Sequence, residues 1–196
     1  MAILAKALAS SCRIPRAPHS WWSRRLVAFI AILSALLPGN QASSQVNPNE
    51  LKAVFLFNFA QFVEWPASAF PSSDAPLVIG VLGTDPFGKT LDDVLRNERA
   101  RNRRLALERH KRLSDIQTCH ILYISKSEQA HMDEILEAFR NRPVLTVAET
   151  DDFAREGGMI QLITDRKVRL RINLKVAKAA GLSISAKMLQ LADVIN

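Results

Sequence analysis

From Glu50 onward the chain reads as a helix, because Leu51, Phe55, Phe59 and Phe62 follow the i, i+4, i+8, i+11 spacing of one face. The other side is no more polar: Val54, Leu56, Phe57, Ala60 and Val63 surround that stripe. A helix that is apolar all round is either deeply buried or covered by a second surface such as a partner subunit. Trp65-Pro66 ends it, since the residue before a proline avoids the α region. Residues 77–82 form an unbroken apolar strand, and a helix is predicted over 90–95. A short second strand follows over 105–108 and a third over 119–124. Ser125 and Glu128 read as the capping box of a helix over 127–140, and residues 144–148 are a fourth strand. Continuous apolar strands separated by helices imply a parallel sheet covered on both faces. The pattern then changes. Residues 159–163 and 168–172 flank a four-residue polar turn, which predicts an antiparallel hairpin. Two short helices close the chain, one over 174–180 stopped by Gly181 and one over 186–192 capped by Ser185. The expected fold is a single α/β domain over residues 45–196, with a mainly parallel sheet flanked by helices on both faces and a C-terminal antiparallel β-hairpin.

Composition fits one ordinary core: of 196 residues, 48% are hydrophobic and 23% charged, which excludes a disordered tail, a collagen or a disulfide miniprotein. The net charge of +7 resembles a nucleic-acid footprint until its position is considered. Lys6, Arg13, Arg16, Arg24 and Arg25 are the only charges in the first 44 residues, and without them 21 basic residues face 19 acidic ones. A nucleic-acid partner is therefore not expected. After Arg24-Arg25 comes a weakly polar to apolar run of twelve residues, 26–37, then Pro38-Gly39 and a small, polar stretch ending Ala42-Ser43-Ser44. Twelve helical residues cover about 18 Å, short of the roughly 30 Å hydrocarbon core. Residues 1–44 read as a cleavable secretory signal peptide, with the mature chain starting near Gln45. A mitochondrial presequence and an uncleaved anchor are the two other readings of the segment. Cys12 would leave with the leader, so Cys119 remains alone and no intrachain disulfide can form; its apolar neighbours predict burial.

Gly83-Thr84-Asp85-Pro86-Phe87-Gly88-Lys89-Thr90 matches the P-loop pattern G-x-x-x-x-G-K-T, follows an apolar strand and opens a helix. The physics argues against it. A P-loop turns successive backbone N–H groups onto phosphate oxygens, whereas Pro86 has no N–H and Asp85 brings a negative charge to the anion's seat. The simpler reading is a helix start, with Asp85 as N-cap and Pro86 at the first helical position. A nucleotide-dependent enzyme acting through Gly83 to Thr90 remains the alternative from another functional class.

Other constellations carry less. His110, His120 and His131 have no ligand at metal spacing, so no metal and no cofactor are expected. There is no nucleophile elbow, and Asp151-Asp152 reads as a cap before it reads as an acid–base pair; no catalytic residue is assigned. The run Arg99, Arg101, Arg103, Arg104 lacks interleaved aromatics and reads as a solvated loop. Period-2 alternation sends Arg169, Arg171 and Asn173 to one face of a strand. Two adjacent guanidiniums suit a carboxylate ligand or a partner's acidic patch, or else they pair with acids such as Glu149 or Glu156.

Several segments together go beyond generic α/β. They are the helix running into Glu64-Trp65-Pro66, the stretch from Ile79 through Gly83-Thr84-Asp85-Pro86-Phe87-Gly88, and Cys119-His120-Ile121-Leu122-Tyr123-Ile124-Ser125. To these belong Gly157-Gly158-Met159-Ile160, Arg171-Ile172-Asn173-Leu174 and Ala180-Gly181-Leu182-Ser183-Ile184-Ser185. Over about residues 49 to 195 they resemble the YfiR family of periplasmic regulatory proteins. The resemblance implies a non-enzymatic periplasmic homodimer that binds the periplasmic domain of an inner-membrane diguanylate cyclase, or of a sensor kinase, and holds cyclic-di-GMP synthesis down. The contacts are expected on the aromatic helix, at Phe55, Phe59, Phe62 and Trp65, with Arg169, Arg171 and Asn173 as a second candidate surface. A small-ligand periplasmic sensor using that second face is a further alternative. Release linked to disulfide state, which the resemblance also implies, does not carry over to a chain left with Cys119 alone.

Overall fold

Asn47 accepts the Asn49 amide on its side chain at 3.0 Å, and Pro48 follows it with φ already suited to a helix; together they start α1 (Pro48–Phe62). The computed structural model describes residues 47–165 and 167–196, so the leader and cleavage site expected within residues 1–44 lie outside them. After α1 the chain extends into β1 (Val63–Glu64) and reaches β2 (Leu77–Leu82), buried along its whole length. Then come α2 (Lys89–Leu95), β3 (Arg99–Ala100), β4 (Arg103–His110) and β5 (Ile121–Ile124). A 3-10 stretch, Lys126–His131, leads into α3 (Met132–Ala138), followed by β6 (Leu145–Ala148), β7 (Ile160–Thr164) and β8 (Val168–Asn173). The chain closes with α4 (Leu174–Ala179), β9 (Ser183–Ile184), α5 (Ala186–Leu189) and β10 (Ala192–Ile195).

Eight strands form one sheet in the order β10-β8-β7-β6-β5-β2-β4-β3. β4, β2, β5, β6 and β7 run parallel, and β8 turns back against β7 in the expected hairpin. The fold is thus α/β with a mainly parallel sheet. Alternate side chains feed two cores. On one face Ile79, Val81, Tyr123 and Val147 pack with Leu56 and Phe59 of α1 and Leu91 of α2. On the other, Leu82, Leu122, Ile124 and Ala148 pack with Met132 and Ile135 of α3 and with Phe153.

Besides the short strands β1, β3 and β9, which the sequence pattern does not predict, three elements differ from expectation. β4 spans eight residues, because its exposed and half-buried positions Arg103, Arg104, Glu108 and Arg109 hide a strand that pairs with all of β2. The helix expected over 127–140 opens as a 3-10 stretch. Ser125 Oγ accepts the Ser127 amide at 3.4 Å and Glu128 accepts from the Ser127 hydroxyl at 3.0 Å, so no capping box forms. The last helix stops at Leu189, and residues 192–195 become β10, paired in parallel with β8 from Ala192 opposite Leu170 to Ile195 opposite Asn173. Edge pairing overrides local helix propensity there.

Candidate functional site

In an open α/β sheet, ligands bind where neighbouring strands send their connections to opposite faces, at the carboxyl ends. Here that point lies between β2, whose helix α2 packs on one core, and β5, whose helix α3 packs on the other. The Gly83 to Gly88 loop occupies it, and three of its five amides are already bonded within the protein. The Gly83 amide donates to His110 O at 2.9 Å, that of Thr84 to Ser127 Oγ at 3.0 Å, and that of Phe87 to Asp85 Oδ1 at 2.7 Å. Gly83, at φ 87°, sits where a Cβ would fall 2.3 Å from Ser127 Oγ, so the crevice is shut by contact. Arg109 grips the outside, with Nε 2.7 Å from Asp85 Oδ2 and a second nitrogen 2.6 Å from Asp92. The loop therefore lacks the free convergent N–H groups of a phosphate cradle. Asp85 caps its own turn instead of the helix, and Pro86 is not the first helical position: α2 begins at Lys89, within a residue of the expected 90, with Gly88 before it.

Beside this loop lies a charge cluster that sequence reasoning missed. Lys52 is 6% exposed, and its Nζ stands 2.9 Å from Glu149 Oε2 and 3.2 Å from Asn49 Oδ1. The Tyr123 hydroxyl donates to Glu149 Oε1 at 2.6 Å, and Asn49 Nδ2 donates to Pro86 O at 2.8 Å. Burial, reinforced by the Glu149 carboxylate, pushes the Tyr123 hydroxyl well above the usual phenol range. The first turn of α1 thus plugs the carboxyl ends of β5 and β6 with a satisfied network. Its one sequence signal was a lone lysine in an otherwise apolar helix. Each charge neutralises the other, which leaves a lock and no nucleophile.

The aromatic positions of α1 part company. Phe59 is 1% exposed and belongs to the core, on the line Lys52, Ala53, Leu56, Ala60 that the sheet buries. Phe55 and Phe62 are half-buried and line a shallow groove of about 70 Å³ with Asn58, Leu170, Lys187, Met188 and Leu191. Leu191 is 81% exposed at its lip. Trp65 packs elsewhere, with Nε1 donating to His120 O at 3.2 Å and its ring edge-on to that histidine. His120 itself is 1% exposed, stacked on Phe70, with Nδ1 accepting the Val78 amide at 3.0 Å and Nε2 facing Ala69 O at 3.2 Å. Those partners assign the proton to Nε2, and burial lowers the ring's pKa.

The strand-face candidates sit together but have separate employments. Arg169 pairs with Asp165 at 2.5 Å and Arg171 with Asp193 at 2.8 Å, so the acids involved are not Glu149 or Glu156. Asn173 caps α4 by accepting the Val176 amide at 3.1 Å, and it donates to Ala154 O at 2.8 Å. Asp152 pairs with Arg155, away from any second carboxylate role. The basic run is no solvated loop: it is the β3–β4 hairpin, turning through Arg101 and Asn102 at φ 48° and 67°. Arg103 lies 3.7 Å above the Phe70 ring and donates to Ser72 O and Ala75 O, while Arg101 meets Glu64 at 2.6 Å. Cys119 is buried, donates to Ile121 O at 3.0 Å, and has its thiol pKa pushed up to about 12 by desolvation. No set of three or more His, Cys, Asp or Glu among the described residues could hold a metal ion. No helix among the described residues is long and apolar enough to cross a membrane.

The family model described as YfiR/HmsC-like matches residues 49–193. No curated protein matches the chain.

Proposed function

This chain belongs to the YfiR/HmsC-like family, whose members point to periplasmic regulation of the cyclic-di-GMP system, and on that premise we propose that it is an exported, non-enzymatic repressor. It binds the periplasmic domain of an inner-membrane signalling protein, a diguanylate cyclase before a sensor kinase, and does so as a homodimer. Residues 1–44 serve as its cleaved leader. The observation that carries the reading is the groove of Phe55, Phe62, Met188 and Leu191, an apolar surface on a domain whose ligand crevice is filled by its own side chains. A leucine left 81% exposed at the lip of an apolar groove is the kind of feature that a protein contact covers.

With Cys119 buried and held as a thiol, the signal that releases the partner is a ligand, a lipid or a second protein and not a disulfide. The test is capture of the periplasmic domains of inner-membrane diguanylate cyclases and sensor kinases by the purified protein. Leu191→Asp should weaken capture at least about tenfold, as expected for a charge set into an apolar contact, and deletion should raise cellular cyclic-di-GMP. Unchanged capture by Leu191→Asp and Phe55→Ser together, with unchanged cyclic-di-GMP on deletion, would overturn the reading.

A further inference from the structure

A cavity of about 550 Å³ opens between the end of α3, the segment entering β7 and the first turns of α4, and the partner reading leaves it unused. Its volume lies within the range of small-molecule sites. The floor is apolar and well buried, with Phe139 and Met159 at 3% and 2% exposure. The rim is cationic: Arg140, Arg155 and Lys175 stand against the carboxylate of Glu156. Arg140 and Arg155 each spend part of a five-donor guanidinium on an exposed ion pair, with Glu137 and Asp152 respectively. Lys175 has no partner among the described residues.

A deeper group points the same way. Thr146 is 2% exposed and accepts the Met159 amide on Oγ1 at 3.1 Å, which leaves its hydroxyl able to donate into the cleft it lines. A buried donor left unmade is costly, and a ligand oxygen would satisfy it. Gly157, at φ 111°, keeps the wall set back, since a Cβ there would meet only Leu136 Cδ1 at 4.0 Å. Three cations thus outnumber the Glu156 carboxylate among the lining side chains, with the amides of Asn141, Asn173 and Asn196 between them, over an apolar floor.

We infer that this cleft binds a small organic anion with an apolar body, of the aromatic or medium-chain carboxylate class. The oxyanion meets the rim cations, the body covers Phe139 and Met159, and Thr146 donates to a ligand oxygen. The site is separate from the groove at Leu191, so it stands whether or not that groove binds a partner. The test is calorimetry and amide chemical-shift titration of the purified protein with benzoate and octanoate. Benzyl alcohol serves as body without charge, and acetate as charge without body. Saturable binding of at least one probe is expected, with shifts at Phe139, Met159 and Val176 and an affinity at least about tenfold above both controls. Lys175→Gln should weaken it about threefold, as for one exposed charge, and Thr146→Val about tenfold, with an unchanged thermal melt for Lys175→Gln as the folding control. Leu191→Asp should leave it unchanged. No saturable shift at millimolar probe, equal binding of benzyl alcohol, or full affinity in an Arg155→Gln, Lys175→Gln double variant would overturn the assignment.

Discussion

Lys52 shows how much one buried charge can decide. Its ammonium and the Glu149 carboxylate are each less than a tenth exposed, so removing either leaves the other poorly compensated, Glu149 keeping the Tyr123 hydroxyl and only the exposed Lys126 Nζ at 4.0 Å as a cation. Lys52→Met is expected to cost about 3–5 kcal/mol in urea unfolding, and Lys52→Met with Glu149→Leu should recover much of that loss. A single variant as stable as the parent would mean that water reaches the site. His120 makes the second residue-scale prediction. Its neutral ring accepts the Val78 amide, and its pKa is lowered from the ordinary 6.5 by burial. The unfolded chain therefore takes up a proton before the folded one does. Stability held above pH 6.5 is lost as pH falls from 6.5 toward the lower folded value. Thermal melts across that window should show a fall that His120→Gln flattens. Neither residue was legible beforehand. A lysine inside an apolar helix and a histidine beside Cys119 look alike whether buried or exposed, because their partners lie far away in sequence.

The elements were legible where burial is two-sided and obscure where it is not. β2 announces itself because both faces are covered, whereas β4 carries solvent on part of its surface and mixes Arg and Glu into its pattern. β10 was unreadable for a different reason: residues 192–195 adopt strand geometry only because the edge of β8 is there to pair with. The candidate aromatic stripe was a correct set of positions on one helix, but the face that the sheet buries is rotated from it, through Ala53, Leu56 and Ala60. Phe59 falls to the core side and Phe55 to the groove. The segment entering β7 gives a sharp test. A Cβ at Gly158 would lie 2.2 Å from the Phe153 ring, and that ring is fully buried with no room to yield. Gly158→Ala should destabilise by about 1–3 kcal/mol through overpacking. A melt within a degree or so of the parent would show that Phe153 can move aside.

At the scale of the whole molecule, the architecture followed from patterning, while the state of the crevice did not. The string Gly83 to Thr90 is a phosphate-loop pattern in letters. Only the tertiary positions of Ser127, His110 and Arg109 reveal that the Gly83 and Thr84 amides and the Gly88 carbonyl are already occupied. The buried thiol of Cys119 adds a prediction about regulation. With its pKa near 12 and its sulfur buried, Cys119 should resist alkylation by iodoacetamide at pH 8 until the protein unfolds. Partner affinity should be the same in oxidising and reducing buffer. Rapid native labelling would instead place the thiol in an opening that the folded state visits.

The bond between Lys52 and Glu149 also sets an order of events. The two residues are 97 apart in the sequence, so as the polypeptide emerges from its N-terminal side the first helix must wait for most of the sheet before its charge finds a mate. Until then that greasy cylinder has nowhere of its own to rest. Chains cut short of residue 149 are therefore the ones expected to cling to one another through it.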